Sequence, residues 1–289
     1  MNPIDQLFQR LRARGRKAFI PFLTAGDPDL PTTLAVGREL VRAGADLLEV
    51  GFPYSDPIAD GPVIQASYTR ALDRGLRLDD VFACVRQLAD TPEVASRERE
   101  RPEASRERQR PETPTPLVAM VSYSLIHRRG PASFLQQAQR AGLSGAIVPD
   151  LPVEESEGLG ELAAASDFKL VHLVTPTTPR ERALRIARRS TGFLYCVSVT
   201  GITGERDQLP EQLREQLAWL REQTDLPLCV GFGISRPEHV RMLRDCADGV
   251  IVGSALVRRV EQAGTRPLLD VLGEIRELVR GLTSALNPS

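Results

Sequence analysis

With 289 residues and 42% apolar side chains, the chain is long enough to bury a substantial core, as one large domain or two modest ones. A formal net charge of −1 leaves no global basic field to gather nucleic acid or an anionic membrane surface. Cysteines 84, 196, 229 and 246 stand singly with no Cys-x-x-Cys pair, which suits reduced thiols in a cytoplasmic protein better than disulfides or zinc.

Residues 1–16 have the charges and apolar positions of an amphipathic helix but lack the unbroken apolar stretch of a signal peptide. No apolar run reaches membrane-spanning length. From there, short runs rich in Val, Ile, Leu and Phe predict strands at 19–23, 47–52, 117–121, 146–148, 170–174, 193–197, 228–232 and 250–252. Between them, helix-period segments lie at 33–43, 132–141, 154–165, 180–189, 211–223 and 237–246. Strict alternation implies parallel strands joined by crossovers. Eight such units in this length fit one closed (β/α)8 TIM barrel domain over 1–289, with an open doubly wound sheet as the runner-up.

Residues 91–116 break the pattern. They are almost entirely Arg, Glu, Pro, Ser and Thr and contain a near tandem repeat, Ala95-Ser-Arg-Glu-Arg-Glu-Arg-Pro-Glu103 followed by Ala104-Ser-Arg-Glu-Arg-Gln-Arg-Pro-Glu112. So little apolar surface cannot offset the entropy of ordering, which predicts a mobile low-complexity insertion at the N-terminal face of the barrel.

The second strand holds the residue that most needs explaining. In Asp46-Leu47-Leu48-Glu49-Val50-Gly51-Phe52 a carboxylate occupies a core strand, and Asp60 ends the loop that follows. A buried carboxyl group pairs, stays protonated through a raised pKa, or does chemistry. Two acids in such different surroundings make a general acid/base pair, because burial raises one pKa while solvent keeps the other low. The alternative is that Glu49 pairs with a structural arginine and Asp60 caps the helix beginning near Pro62. In a barrel, active residues come from the C-terminal ends of strands and the loops after them, where both acids lie.

Three late strands end in glycine: Gly201-Ile-Thr-Gly204, Gly231-Phe-Gly-Ile-Ser235 and Gly253-Ser254. Glycine allows close backbone approach to a ligand, and Ser235 and Ser254 are each expected to open a helix whose free N–H groups favour an anion. Together these turns predict a phosphate site, although any one of them alone could be turn punctuation. The lysines are Lys17 and Lys169, both at strand starts, so neither can form a Schiff base at the active face. His127, His172 and His239 show no metal-ligand spacing, and no metal is expected.

The run Leu48-Glu-Val-Gly-Phe-Pro-Tyr-Ser-Asp-Pro-Ile-Ala-Asp-Gly-Pro62 resembles the signature of the tryptophan synthase alpha chain family. Pro21-Phe-Leu-Thr-Ala-Gly-Asp-Pro28, Ile147-Val-Pro-Asp-Leu-Pro-Val-Glu-Glu155 and the three glycine motifs resemble the same family in the same order. The resemblance implies a lyase of tryptophan biosynthesis that cleaves indole-3-glycerol phosphate to indole and glyceraldehyde 3-phosphate. It implies no cofactor in this chain, and a beta chain partner that carries pyridoxal phosphate in an alpha2beta2 heterotetramer.

By the same match, Glu49 is the general acid/base and Asp60 the acceptor of the indole N–H, braced by Thr203 when the loops at 53–60 and 201–209 close. Gly204, Phe232, Gly233, Gly253 and Ser254 match phosphate-binding positions. Phe22, Ile64, Tyr195 and Ile251 match the walls of an indole slot, although each would also be ordinary barrel filling, an equal alternative for Ile64 and Ile251. Ser124 stands where the family usually has asparagine, ahead of a loop that meets the beta chain. A stand-alone lyase and a catalytically silent activating subunit are the competing readings.

Overall fold

The computed structural model describes residues 1–91, 94, 114–198, 210–231 and 233–288. Its strands are β1 (Ala18–Thr24), β2 (Leu48–Gly51), β3 (Leu117–Met120), β4 (Leu143–Ile147), β5 (Lys169–Val171), β6 (Leu173–Val174), β7 (Leu194–Val197), β8 (Leu228–Gly231) and β9 (Gly249–Val252). They pair in parallel in the order β5-β4-β3-β2-β1-β9-β8-β7-β6. The two ends of that order are halves of one strand parted at His172, so the sheet closes into the expected eight-stranded barrel. The break has a local cause: the His172 N–H donates to Ser190 Oγ at 3.0 Å instead of to a neighbouring strand.

The helices are α1 (Pro3–Ala13), α2 (Leu30–Ala43), α3 (Pro62–Asp73), α4 (Leu78–Ala89), α5 (Tyr123–Arg129), α6 (Pro131–Arg140), α7 (Glu157–Ala165), α8 (Arg180–Arg189), α9 (Glu211–Gln223), α10 (Pro237–Leu243), α11 (Ser254–Val260) and α12 (Leu268–Leu286). Side chains alternate across each strand, which divides the core into two layers. Phe19, Leu23, Leu48, Val50, Leu194, Cys196, Leu228, Val230, Val250 and Val252 pack outward with the helices. Ile20, Phe22, Leu47, Val118, Met120, Ile147, Val171, Tyr195, Cys229 and Ile251 fill the interior. Fully burying one such aliphatic or aromatic side chain contributes about 1.5–3 kcal/mol, so the two layers dominate the stability of the barrel.

Helix α1 closes the bottom of the barrel. Ile4, Leu7, Phe8 and Leu11 recur at helical spacing and join the interior cluster, with Phe8 against Phe193 at 5.9 Å between ring centroids. Asn2 fixes this plug: its Oδ1 accepts from the Ile4 N–H at 2.9 Å, and its Nδ2 donates to the carbonyls of Ser144 and Asp167.

Several boundaries depart from the sequence reading. The fourth strand begins at Leu143 rather than 146, because Ser144 and Gly145 are buried beneath α1. The helix expected over 154–165 is a 3₁₀ turn (Val153–Glu155) followed by α7, with Ser156 between them donating its hydroxyl to the Val153 carbonyl. Ser235 does not open α10. The residue before a proline is kept out of the helical region, and Arg236, at φ −133° and ψ 154°, delays the helix to Pro237. At the insertion, Val94 is buried and its carbonyl accepts from the Thr115 N–H at 2.8 Å, so the edges of the 91–116 segment belong to the fold. The mobility expected over 91–116 is therefore not found at residues 91, 94 and 114–116, and residues 92, 93 and 95–113 lie outside the described residues.

Candidate active site

Leu48 and Val50 face the helix layer, so Glu49 between them must face the barrel interior, in register with Phe22 on β1 and Val118 on β3. It is 1% exposed. Among the described residues no arginine or lysine pairs with it, and Oε2 has no hydrogen-bond partner. The pairing alternative is therefore not what this strand shows. Desolvation, and secondarily the negative charge of Asp60, pushes the Glu49 carboxyl up to about 8.

Asp60 sits on the loop between β2 and α3. Its backbone is clamped: Gln65 Nε2 donates to the carbonyls of Asp60 at 2.8 Å and Pro57 at 3.1 Å. The Tyr54 hydroxyl donates to Asp60 Oδ2 at 3.2 Å. Asp60 does not cap α3, whose cap residue is Gly61, with Pro62 opening the helix. Burial raises the Asp60 carboxyl to about 6, the Tyr54 hydrogen bond opposes that rise, and the charge of Asp150 adds to it. Asp150 accepts from Ser122 Oγ at 2.6 Å and from the Tyr123 N–H at 2.7 Å, which ties the loop after β4 to the start of α5. Ser124 joins this cluster through a 2.7 Å contact between its hydroxyl and that of Ser122.

Glu49 and Asp60 line one cavity of about 650 Å³, counting the part open to solvent, at the C-terminal ends of the strands. Phe22, Ile64, Tyr195 and Ile251 form its walls, and Gly233, Gly253 and Ser254 line its rim after β8 and β9. Thus the structure gathers nine of the residues singled out from sequence around one space. Thr203, Gly204, Phe232 and the expected closing loop at 201–209 lie outside the described residues.

Two glycines shape the slot. A Cβ on Gly51 would lie 2.4 Å from Phe22 Cζ, and one on Gly231 would lie 2.4 Å from the Tyr195 hydroxyl, so both rings occupy room that any side chain would take. Gly233 adopts φ +73°, a backbone open to glycine at little cost. Sequence reasoning missed Met120, Pro149, Leu173 and Val197, which also line the cavity. Period-2 counting from Val118, Val171 and Tyr195 places Met120, Leu173 and Val197 inward, so that signal was present.

Lys17 and Lys169 stand at the other end of the barrel, Lys17 3.9 Å from Asp248 and Lys169 2.7 Å from Asp5. Among the described residues no group of three His, Cys, Asp or Glu could hold a metal ion. Nor is any described helix long and apolar enough to cross a membrane.

A closed parallel barrel, with two carboxyl groups lining one cavity at the C-terminal ends of its strands, has the layout of a (β/α)8 enzyme. The family model described as tryptophan synthase alpha chain matches residues 8–95 and 102–285. A tryptophan synthase alpha chain from Rhodopirellula baltica is 50% identical over 294 residues, covering 99% of both chains. The crystal structure of tryptophan synthase subunit alpha from Legionella pneumophila superposes with a TM-score of 0.85 at 35% identity, covering 100% of both chains. A tryptophan synthase complex from Pyrococcus furiosus contains a chain at TM-score 0.75 and 34% identity, covering 92% of this chain and 98% of that one. The chain belongs to the tryptophan synthase alpha chain family, and it is a carbon–carbon lyase of tryptophan biosynthesis that cleaves indole-3-glycerol phosphate.

Proposed function

We propose that Glu49 moves the protons of this cleavage and that Asp60 stabilises the charge it creates. The observation that carries the reading is that two carboxyl groups line one cavity, Glu49 fully enclosed and without an ion-pair partner among the described residues and Asp60 at the mouth, with burial pushing Glu49 up to about 8 and Asp60 to about 6. At neutral pH Glu49 holds a proton to give and Asp60 is mostly ionised. Glu49 donates its proton to the indole ring carbon that bears the glycerol chain, making the ring cationic, and Asp60 accepts a hydrogen bond from the ring N–H. Glu49, now a carboxylate, removes the proton of the adjacent glycerol hydroxyl. The carbon–oxygen double bond forms, the carbon–carbon bond breaks, and its electron pair neutralises the ring. Indole and glyceraldehyde 3-phosphate leave, and Glu49 is again protonated.

Phe22, Ile64, Tyr195 and Ile251 would flank the flat ring. Backbone N–H groups at Gly204, Phe232, Gly233, Gly253 and Ser254 would hold the phosphate, and Thr203 would brace Asp60. The route asks for no cofactor in this chain. The reading includes a beta chain partner carrying pyridoxal phosphate, in an alpha2beta2 assembly, and the Pyrococcus furiosus relative supports it because its solved form is a complex. A cytoplasmic location fits the free thiols of Cys84, Cys196, Cys229 and Cys246.

The test is an assay of the purified chain, alone and with the beta chain. Slow cleavage of indole-3-glycerol phosphate that accelerates on assembly is expected. No indole formation in either state would overturn the reading, and full turnover without the partner would favour a stand-alone lyase.

A further inference from the structure

We infer that Tyr54 is a positioning residue for this reaction, acting through Asp60: its hydroxyl fixes Oδ2 of the carboxylate and leaves Oδ1 to the substrate. The inference rests on the function proposed above and extends it to a residue that does not line the cavity.

Tyr54 is itself held. It is 7% exposed, and its ring lies 5.4 Å from that of Tyr68 on α3, which is fully buried. The phenol therefore has little freedom, and its hydroxyl reaches Asp60 Oδ2 from a fixed point. By contrast, the Asp60 side chain has nothing comparable of its own. Gln65 clamps the main chain at Pro57 and Asp60, which sets the Cα but not the carboxylate. Among the described residues, Tyr54 is the one that donates a hydrogen bond to the Asp60 side chain. The loop around it is otherwise open, with Ile58 88% exposed, so a carboxylate released by Tyr54 could turn toward water.

The electrostatic setting calls for such a donor. Asp60 is faced by Glu49 from β2, Asp150 from the loop after β4, Tyr68 from α3 and Tyr195 from β7. Burial and Asp150 both favour its neutral form, and the Tyr54 hydrogen bond favours the ionised form needed to meet a cationic ring.

The experiment pairs Tyr54→Phe, which keeps the ring against Tyr68, with Asp60→Asn and the double variant. Tyr54→Phe should lower kcat about tenfold with KM nearly unchanged, as expected for one lost hydrogen bond to a charged group. The low-pH limb of kcat/KM should move upward. In the Asp60→Asn background the same change should cost almost nothing. An equal loss in both backgrounds would overturn the inference. A second readout needs no turnover: carbon-13 titration of the Asp60 carboxyl in the substrate-free chain should show a higher midpoint in Tyr54→Phe. An unchanged midpoint would equally overturn it. If the wild-type chain and its beta partner produced no indole, the proposed function would fall and the assignment of Tyr54 to that reaction with it. The titration would then still report whether the phenol controls the acid.

Discussion

At the N-terminal end of the barrel, charged groups meet partners: Lys17 and Arg221 share Asp248, and Lys169 meets both Asp5 and Asp167. Asp46 accepts from the Phe19 N–H there, and Asn287 bonds both the N–H and the carbonyl of Lys17. At the other end, Glu49 Oε2 and the Tyr68 hydroxyl are buried with no hydrogen-bond partner among the described residues. Leaving a buried polar group unsatisfied costs about 1–3 kcal/mol, so the mouth is held at a cost that the floor and core offset. On the function proposed above, the difference separates residues that keep the barrel folded from those that keep a site reactive.

The sharpest way to break that comparison is Glu49→Gln. Cleavage should fall by about 10²–10⁴-fold, the usual worth of a positioned acid/base. Stability should move the other way. Because the folded carboxyl titrates near 8 against an ordinary value of 4.5, the folded chain binds this proton more tightly than the unfolded chain. Glu49 therefore costs the wild type stability progressively as pH rises from 4.5 to 8. Urea unfolding should show the glutamine variant gaining on wild type at pH 8.5 and little difference near pH 4. A gain that is the same at both pH values would contradict the raised pKa.

A floor substitution should do the reverse. Phe8→Ala opens a cavity against Phe193 and should cost about 3–5 kcal/mol in denaturant unfolding. The kcat of the folded fraction should stay within about twofold, and a larger drop would show that floor and mouth are coupled. Gly231→Ala tests the boundary between them. Its new Cβ would press on the Tyr195 hydroxyl and drive the ring into the slot, with a loss of about 1–3 kcal/mol in stability and a severalfold rise in KM. An unchanged KM would mean that Tyr195 is not a wall of the ring site.

The barrel was legible because parallel strands buried on both faces read as apolar runs, which marked all eight strand positions. Both acids were legible for the opposite reason, as polar exceptions within or just after such a run. What escaped the reading depends on partners distant in sequence. Ser144 and Gly145 look like a turn until Asn2 and Ile4 cover them, and the interruption at His172 needs the hydroxyl of Ser190. Asp150 meets Asp60 from a separate loop, so no local pattern could join them, whereas Tyr54 lies six residues before Asp60 on the same loop. Helix α12 lies outside the predicted helices although Val271, Ile275, Val279, Leu282 and Leu286 repeat at helical spacing. It packs on α2, where Arg276 grips Glu39 through two hydrogen bonds.

One hydrogen bond, from the Thr115 amide to the Val94 carbonyl, staples the two stems of the arginine- and glutamate-rich segment together. Strand β3 and helix α4 are thereby insulated from whatever is spliced between the stems. The entropic cost of joining two fixed chain ends grows by only about 0.6 kcal/mol for each doubling of the span, so the same staple tolerates inserts of very different length. The junction is a natural port for grafting a tag or a reporter peptide.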